Sequence, residues 1–519
     1  MRKKKLLCCI LILGILVCLL SACKSAGEEQ SSNTENQQNS TQIPNSRPTD
    51  TSPEESTEPL KILVFAHKGH ISDGYTMRDN ITGPICSVGP YTMGDEFVYG
   101  NIIEAFSEET GIPVEIEYIN INPLSTSDAD VWIMDTTSYP PTEVLSEAYC
   151  YDLSPFFEEY GIYDNGFYLE PILRAGQVDG KQFIFPFTFN MNILMGSEES
   201  LARNYLSIEE GMTYEELVDA LVGGWQAVPP VEDRMVPVLD QTDWNWERGA
   251  VGIYRLFEGA GGLSYDENPF DEEGTDKMMI NQLLNATKAF LCADFAMDED
   301  EVAKACRTED ELFTVVNESS QSSQWTGMMS EISPVDLGKE IGCVVSGPGL
   351  YHYYPFGTQA LYYEHIYEEM DESFFCMGIP EYGTTDQYRA AVMSYGIVPS
   401  RSTQPDKAYQ LLQYLADAER PVYYDMSVNR ERMAETLDEL TKIEIRVDGE
   451  VVVGPLSEES KSVLMNLIDH IDEAYFPDRI MDEQVYSLVR KYLSGAISSS
   501  GEVYDRLVTH KASLMPEGE

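Results

Sequence analysis

Basic residues are scarce in this 519-residue sequence: 34 lysines and arginines stand against 88 aspartates and glutamates, a net charge of −54. Nucleic acid and anionic lipid headgroups are held by clustered cations, so this balance argues against both as partners. A membrane-spanning run is also missing at the N-terminus. The apolar stretch Leu6 to Leu20 covers about 22 Å as a helix, short of the ~30 Å hydrocarbon core. No cysteine pair has C-x-x-C spacing, which argues against a zinc site. The sequence contains no G-x-S-x-G, no H-E-x-x-H and no P-loop pattern, so the common hydrolase, zinc-protease and nucleotidase signatures are absent. The expectation is a binding protein rather than an enzyme, with no cofactor and no metal.

What is present begins with Arg2 to Lys5, a basic start ahead of the short apolar run. That order reads as a secretory signal over residues 1–22. The next residues, Leu20-Ser21-Ala22-Cys23, resemble a bacterial lipobox, which implies lipidation of the Cys23 sulfur after cleavage. Residues 23–59 then contain only Ile43 as a large apolar side chain. Such a stretch cannot bury enough surface to order itself. As a coil it reaches roughly 30–35 Å, the behaviour of a tether. With the leader gone, 30 basic residues face 88 acidic ones, a balance of −58.

The remaining body is too long for one hydrophobic core, since cores stop growing near about 250–300 residues. Of the ten cysteines, Cys8, Cys9 and Cys18 leave with the signal. Six remain beyond Cys23: Cys86, Cys150, Cys292, Cys306, Cys343 and Cys376. An exported compartment permits disulfides, but a body of this size does not need them, and buried free thiols are the expectation.

The body opens in a parallel α/β pattern. Ile62 to Phe65 and Val131 to Met134 are continuous apolar runs, as in strands buried on both faces. Between them, Val98, Ile102, Ala105 and Phe106 predict a helix over 95–109 stopped by Gly111. Val114, Ile116 and Tyr118 alternate with glutamates, predicting a half-exposed strand. Thr213-x-x-Glu216 predicts a capped helix ending at Gly223-Gly224, and Thr403-x-x-Asp406 predicts the start of another. Asp448-Gly449 between β-branched residues predicts a hairpin. The tail reads as helices over 463–475, 482–493 and 501–515.

The order of segments resembles the family 1 extracellular solute-binding proteins. Phe106-Ser107-Glu108-Glu109-Thr110-Gly111-Ile112-Pro113-Val114 is similar to that family's helix-to-strand passage. Asp128-Ala129-Asp130-Val131 is similar to its strand entry, with Ala in place of the usual Pro. Val178-Asp179-Gly180-Lys181-Gln182-Phe183 with Pro186 resembles the strand before the first interlobe crossing, and Tyr395-Gly396-Ile397 with Lys407-Ala408 resembles the second crossing and its helix. The resemblance covers about residues 60–515. It implies an α/β fold: a type II clamp of two lobes, each an open mixed sheet flanked by helices, joined by a hinge. By that likeness the first lobe is 60–187 plus 396–428 and the second is 188–392 plus 429–515. One departure concerns Ser346-Gly347-Pro348-Gly349, where sugar binders of the family often place a tryptophan after the proline. Leu350, Tyr351, Tyr353 or Tyr354 then stand as replacements for its stacking face.

In open α/β sheets, ligands meet the loops at the carboxyl ends of strands. This nominates His67, with Lys68 and His70, after the first strand, and Asp135, Thr136 and Tyr139 after the run at Val131. A carboxylate accepts strong hydrogen bonds from hydroxyls or ammonium groups; the alternative for Asp135 is a helix cap. Trp244, Trp246 and Trp325 offer flat faces for sugar rings or cations, while Trp132 lies in an apolar run and reads as core. Phe187 and Asn190 follow Pro186 and are expected at the hinge side of a cleft. Asp298-Glu299-Asp300-Glu301 lacks the glycine and spacing of a calcium loop and reads as an acidic helix start.

The resulting expectation is a monomeric lipoprotein on the outer face of the cell membrane. It captures a small-molecule solute, foremost a neutral oligosaccharide, for an ABC transporter permease. Polyamine or peptide capture, a surface sensor or adhesin, and a lipid-anchored glycoside hydrolase are the alternatives.

Overall fold

The computed structural model describes residues 58–65, 93–119, 128–136, 141, 148–203, 205–227, 257–261, 275–294, 298–307, 343–346, 355–420, 425–443, 445–447, 450–453, 455–477 and 479–514. The leader, Cys23 and the tether lie outside them, apart from the last two tether residues.

Fourteen strands are numbered along these residues. β1 (Leu60–Phe65), β2 (Val114–Ile119), β3 (Val131–Asp135), β6 (Phe185–Met191), β10 (Tyr388–Ile397), β11 (Met426–Ser427) and β14 (Ile471–Tyr475) form a seven-stranded sheet. Its order is β11-β6-β10-β3-β1-β2, with β14 on β10. β1 runs parallel to β2 and β3, and β10 parallel to β14; β10 is antiparallel to β3 and β6. A three-stranded sheet, β8-β7-β9, uses β7 (Ile193–Ser197), β8 (Cys343–Ser346) and β9 (Phe374–Gly378). Two ribbons complete the set: β4 (Gln177–Val178) with β5 (Lys181–Gln182), and β12 (Ile445–Val447) with β13 (Glu450–Val453). The second ribbon is the hairpin expected around Asp448-Gly449, with Val447 opposite Glu450.

The helices are α1 (Met93–Thr110), α2 (Ser154–Glu159), α3 (Glu170–Arg174), α4 (Glu198–Arg203), α5 (Tyr214–Ala227), α6 (Thr275–Asp294), α7 (Glu299–Ala305), α8 (Phe356–Glu369), α9 (Pro405–Asp417), α10 (Arg430–Leu440), α11 (Glu458–Asp469), α12 (Arg479–Leu493) and α13 (Ser500–Leu514). The fold is mixed α/β, a mixed sheet flanked by helices, as expected. None of the described helices is long and apolar enough to cross a membrane.

Local chemistry accounts for most boundaries. Strands β1 and β3 are buried almost throughout, while β2, at the sheet edge, exposes Glu115 and Glu117. Helix α1 ends at Gly111, whose φ of 73° suits a residue without a Cβ. The acidic run at Asp298 serves α7: the Asp298 carboxylate accepts from the Glu301 N–H, and the Glu301 carboxylate from the Asp298 N–H.

Three expectations are corrected. The capping box at Thr213 and Glu216 forms, but α5 runs through Gly223 and Gly224 to Ala227. Gly224 is there because a Cβ would collide with Leu206, and one turn of extra helix buries Trp225 against Phe290. Helix α9 starts at Pro405 rather than from Thr403, with Gln404 at the cap position; proline at the first helical turn needs no N–H partner. Residues 463–475 are not one helix: α11 stops at Asp469 and Ile471–Tyr475 pairs with β10. An unfilled edge of β10 outweighed the helical period there.

The larger core joins the face of the seven-stranded sheet to α9, α8, α10 and α11; its members include Trp132, Phe187 and Leu412. Helix α8 packs on β7 and β9, and α11 on β9, so these helices cover one face of the small sheet. A second core, with Leu217, Trp225, Leu284 and Leu488, covers the other. Among the described cysteines, Cys150 and Cys306 are buried and Cys292 and Cys376 are half-buried.

Candidate functional site

The chain passes from the large sheet to the small one at Asn192, the single residue between β6 and β7. Residues 187–192, Phe-Thr-Phe-Asn-Met-Asn, alternate apolar and polar, yet all six are buried. Period-two alternation puts Thr188 and Asn190 on one face of β6. A buried polar group is tolerated when it finds a partner, and each of these does.

Thr188 sits in a polar row that crosses four adjacent strands. Asp135 of β3 pairs with Ser394 of β10, Ser394 with Thr188, and Thr188 with Ser427 of β11. The Thr188 and Ser394 hydroxyls share a hydrogen bond of 2.6 Å, and the Tyr99 hydroxyl of α1 donates to Ser394 Oγ at 2.7 Å. Ser427 Oγ donates to the Ala416 carbonyl. Asn190 Nδ2 donates to Asp425 Oδ1 at 3.4 Å, and Asn190 Oδ1 accepts from the Phe356 N–H at 3.3 Å, where α8 begins. Asn192 Nδ2 donates to the Tyr475 hydroxyl at 2.9 Å. Below it, Arg389 is buried with its Nε 2.9 Å from Glu473 and its guanidinium 4.9 Å from the centre of the Tyr475 ring.

Asp135 and Asp425 are half-buried, whereas Thr188, Ser394, Asn190 and Ser427 are fully covered. Burial pushes the Asp425 carboxyl well above the usual carboxylate range; the nearby Asp135 charge pushes the same way and Arg420 opposes both. Arg420 is itself committed, its Nη2 donating to the Leu415 carbonyl at 2.6 Å and Nη1 to the Ala418 carbonyl at 3.2 Å. Chemically, the arrangement offers two half-buried carboxyl groups beside a row of hydroxyls, a set able to hydrogen-bond a polar ligand.

The raised Asp425 carboxyl predicts a pH dependence. A carboxyl whose folded-state pKa lies above its unfolded value of about 3.9 favours folding while protonated, and that stability is lost as pH rises through the folded value. Asp425→Asn removes the titration. Urea midpoints at pH 4 and pH 8 are expected to show the variant gaining on the parent at the higher pH; an equal gap at both would refute this.

Of the sequence-nominated residues, Asp135 is at the carboxyl end of β3, as expected, and Thr136 follows it with its N–H on the Met393 carbonyl at 2.9 Å. Asn190 joins them at the crossing. Phe187 has no exposed surface and packs against Phe185, Tyr99 and the backbone at Gly396; in this arrangement its role is packing rather than ligand contact. Trp132 is core, as expected. His67, Tyr139, Trp244, Trp246, Trp325 and Tyr351, with Cys23, lie outside the described residues. Sequence reasoning missed Tyr99, Thr188, Ser394, Arg420, Asp425 and Ser427. The available signal was a polar residue interrupting an apolar run, as at Ser394 in Ala-Val-Met-Ser-Tyr-Gly-Ile and at Thr188 in Phe-Thr-Phe.

No family model and no curated protein sequence matches the chain. Its likeness is to solved structures. A family 1 extracellular solute-binding protein from Alicyclobacillus acidocaldarius is 12% identical, with a TM-score of 0.48 over 90% of this chain and 100% of that one. The sugar-binding protein MalE from Xanthomonas citri is 11% identical, with a TM-score of 0.49 over 88% and 100%. An extracellular solute-binding protein from Staphylococcus aureus, solved with maltose, is 14% identical, with a TM-score of 0.46 over 88% and 100%. The structures it is similar to are solute-binding proteins. At these scores the likeness assigns no ligand, and the case for function rests on the chain's own residues.

Proposed function

We propose that this protein captures a solute outside the cytoplasm and passes it to an ABC import permease, held at the membrane by lipid on Cys23. The observation that carries the reading is the polar face of β6, buried where the chain crosses between its two sheets and reachable from Asp135 and Asp425. Two bodies, 60–187 plus 396–428 and 188–392 plus 429–515, close over cargo at that crossing. No covalent step is involved.

The first cargo class is an oligosaccharide, whose hydroxyls both donate to and accept from the carboxyl groups of Asp135 and Asp425 and whose ring faces suit Trp244 and Trp246. A second class, polyamines, is favoured by the acidic balance of the chain, 34 basic residues against 88 acidic ones.

A thermal-shift screen of the full chain in detergent, against neutral oligosaccharides, spermidine and short peptides, tests the reading. A ligand at 100 times its dissociation constant adds ~2.7 kcal/mol, a rise of several degrees. One class is expected to shift the transition and to be recovered intact, and Trp244→Ala or Trp246→Ala to weaken its binding about tenfold, a loss of ~1.4 kcal/mol. Cleaved sugar would indicate a hydrolase instead. No shift from any class would move the reading to a surface sensor or adhesin with a macromolecular partner.

A further inference from the structure

We infer that Cys292 and Cys306 are a thiol pair that the fold directs into one disulfide, a covalent staple across the hairpin of α6 and α7. The export reading above supplies only a compartment in which an oxidant is at hand. The test provides the oxidant itself, so the two can fail separately.

Helix α6 ends at Asp294 and α7 begins at Glu299, and Cα atoms of the two helices approach within 8 Å of one another. Side-chain spacing shows which stripes meet. Lys288 of α6 pairs with Glu299, the first residue of α7, at 2.5 Å. Cys292 follows Lys288 by four residues and lies on the same stripe of α6. On α7, Glu299, Val302 and Cys306 stand at i, i+3 and i+7, again one stripe, and Val302 and Cys306 are buried. Both cysteines enter the same core, Cys306 as a member and Cys292 packed against it. The charges follow this geometry: Glu299 and Lys288 act on the Cys292 thiol, and Cys292 acts on Cys306.

Both residues also sit near helix ends. Cys292 is in the last turn of α6, and α7 stops at Cys306. Helix ends fray and adjust more readily than helix middles, which suits the ~4.4–6.8 Å Cα separation that a disulfide requires. The cross-link fixes α7, seven residues long and too short to be stable alone, against the second core.

Burial sets the course of the reaction. It raises both thiols, Cys306 to about 11, with Arg490 opposing it there. Thiolates are the attacking species, so closure is slow in the reduced, folded protein at neutral pH. Half-buried Cys292 is the more accessible partner. Its thiolate attacks a small-molecule disulfide and releases one thiol; the Cys306 thiolate then displaces the second. Two S–H bonds break and one S–S bond forms. The two electrons pass to the oxidant's disulfide, and the two protons leave on its thiols.

The test is a redox equilibrium of the full chain in detergent. The protein is held in reduced and oxidised glutathione of graded ratio at pH 8, with and without urea, and approached from both the reduced and the oxidised side. Acid quenching, alkylation and peptide mapping then quantify the Cys292–Cys306 pair. A link that fits the fold is strengthened by it to the same extent that it stabilises the fold. The folded protein is therefore expected to hold the disulfide against a reduced-to-oxidised ratio at least about tenfold more reducing than the urea-unfolded chain does. Absence of the pair from the folded protein, or equal equilibria with and without urea, would overturn the inference. Cys292→Ser adds a second check: Cys306 is expected to remain a thiol or take up glutathione, and its pairing with another cysteine of the chain would count against a directed pair.

Discussion

Gly396→Val is expected to lower stability by about 3 kcal/mol, at the upper end of what overpacking a filled core costs. Gly396 lies in β10 beneath α9, and a Cβ added there would stand 2.6 Å from Phe187 Cζ and closer still to Leu412. Phe187 and Leu412 have no exposed surface; neither can swing into solvent to make room. The strand cannot retreat either, since on both sides it is paired, to β3 and to β6. The effect is read from the urea midpoint. Combining it with Leu412→Ala, which alone costs about 2–5 kcal/mol, should give a double variant less destabilised than the sum, because the small residue vacates the space the valine needs. Simple additivity would mean that strand and helix do not meet at this point. The close approach also explains why a glycine stands in an otherwise apolar central strand.

The second large effect is at Arg389. Its guanidinium donates to Glu473, lies over the Tyr475 ring and reaches the Glu258 carbonyl at 3.5 Å. Removing one partner of a buried ion pair costs about 3–5 kcal/mol; Glu473 is 39% exposed and regains some water, so Arg389→Ala is expected near 3 kcal/mol. Arg389→Lys keeps the charge and stem but loses the fork that serves two acceptors at once, and an intermediate loss is expected. Equal urea midpoints for lysine and arginine would show that charge alone matters, and an unperturbed alanine variant would remove the ion pair from the account of stability. The site above depends on this cluster, since Tyr475 also holds Asn192 at the crossing.

The sequence by itself determined the elements whose signal is local. Continuous apolar runs marked β1 and β3, a 3.6-residue period with a terminal glycine marked α1, and Asp448-Gly449 marked the β12–β13 hairpin, because buried faces, caps and tight turns are chosen by neighbours in the chain. It also located Asp135 and Thr136 at the end of β3 and Asn190 at the crossing, from a strand end and from the proline before it. Tertiary structure decided what depends on partners far along the chain. Residues 471–475 became β14 because β10 offered an edge, and α5 ran through two glycines because Leu206 pressed against one of them. The polar row Asp135–Ser394–Thr188–Ser427 exists only through register across strands up to 292 residues apart in sequence. Each member read alone is an ordinary polar residue in an apolar run. Their hydrogen bonds, and the raised carboxyl of Asp425, arise from burial and from charges that the fold brings together, and neither is a property of any local segment.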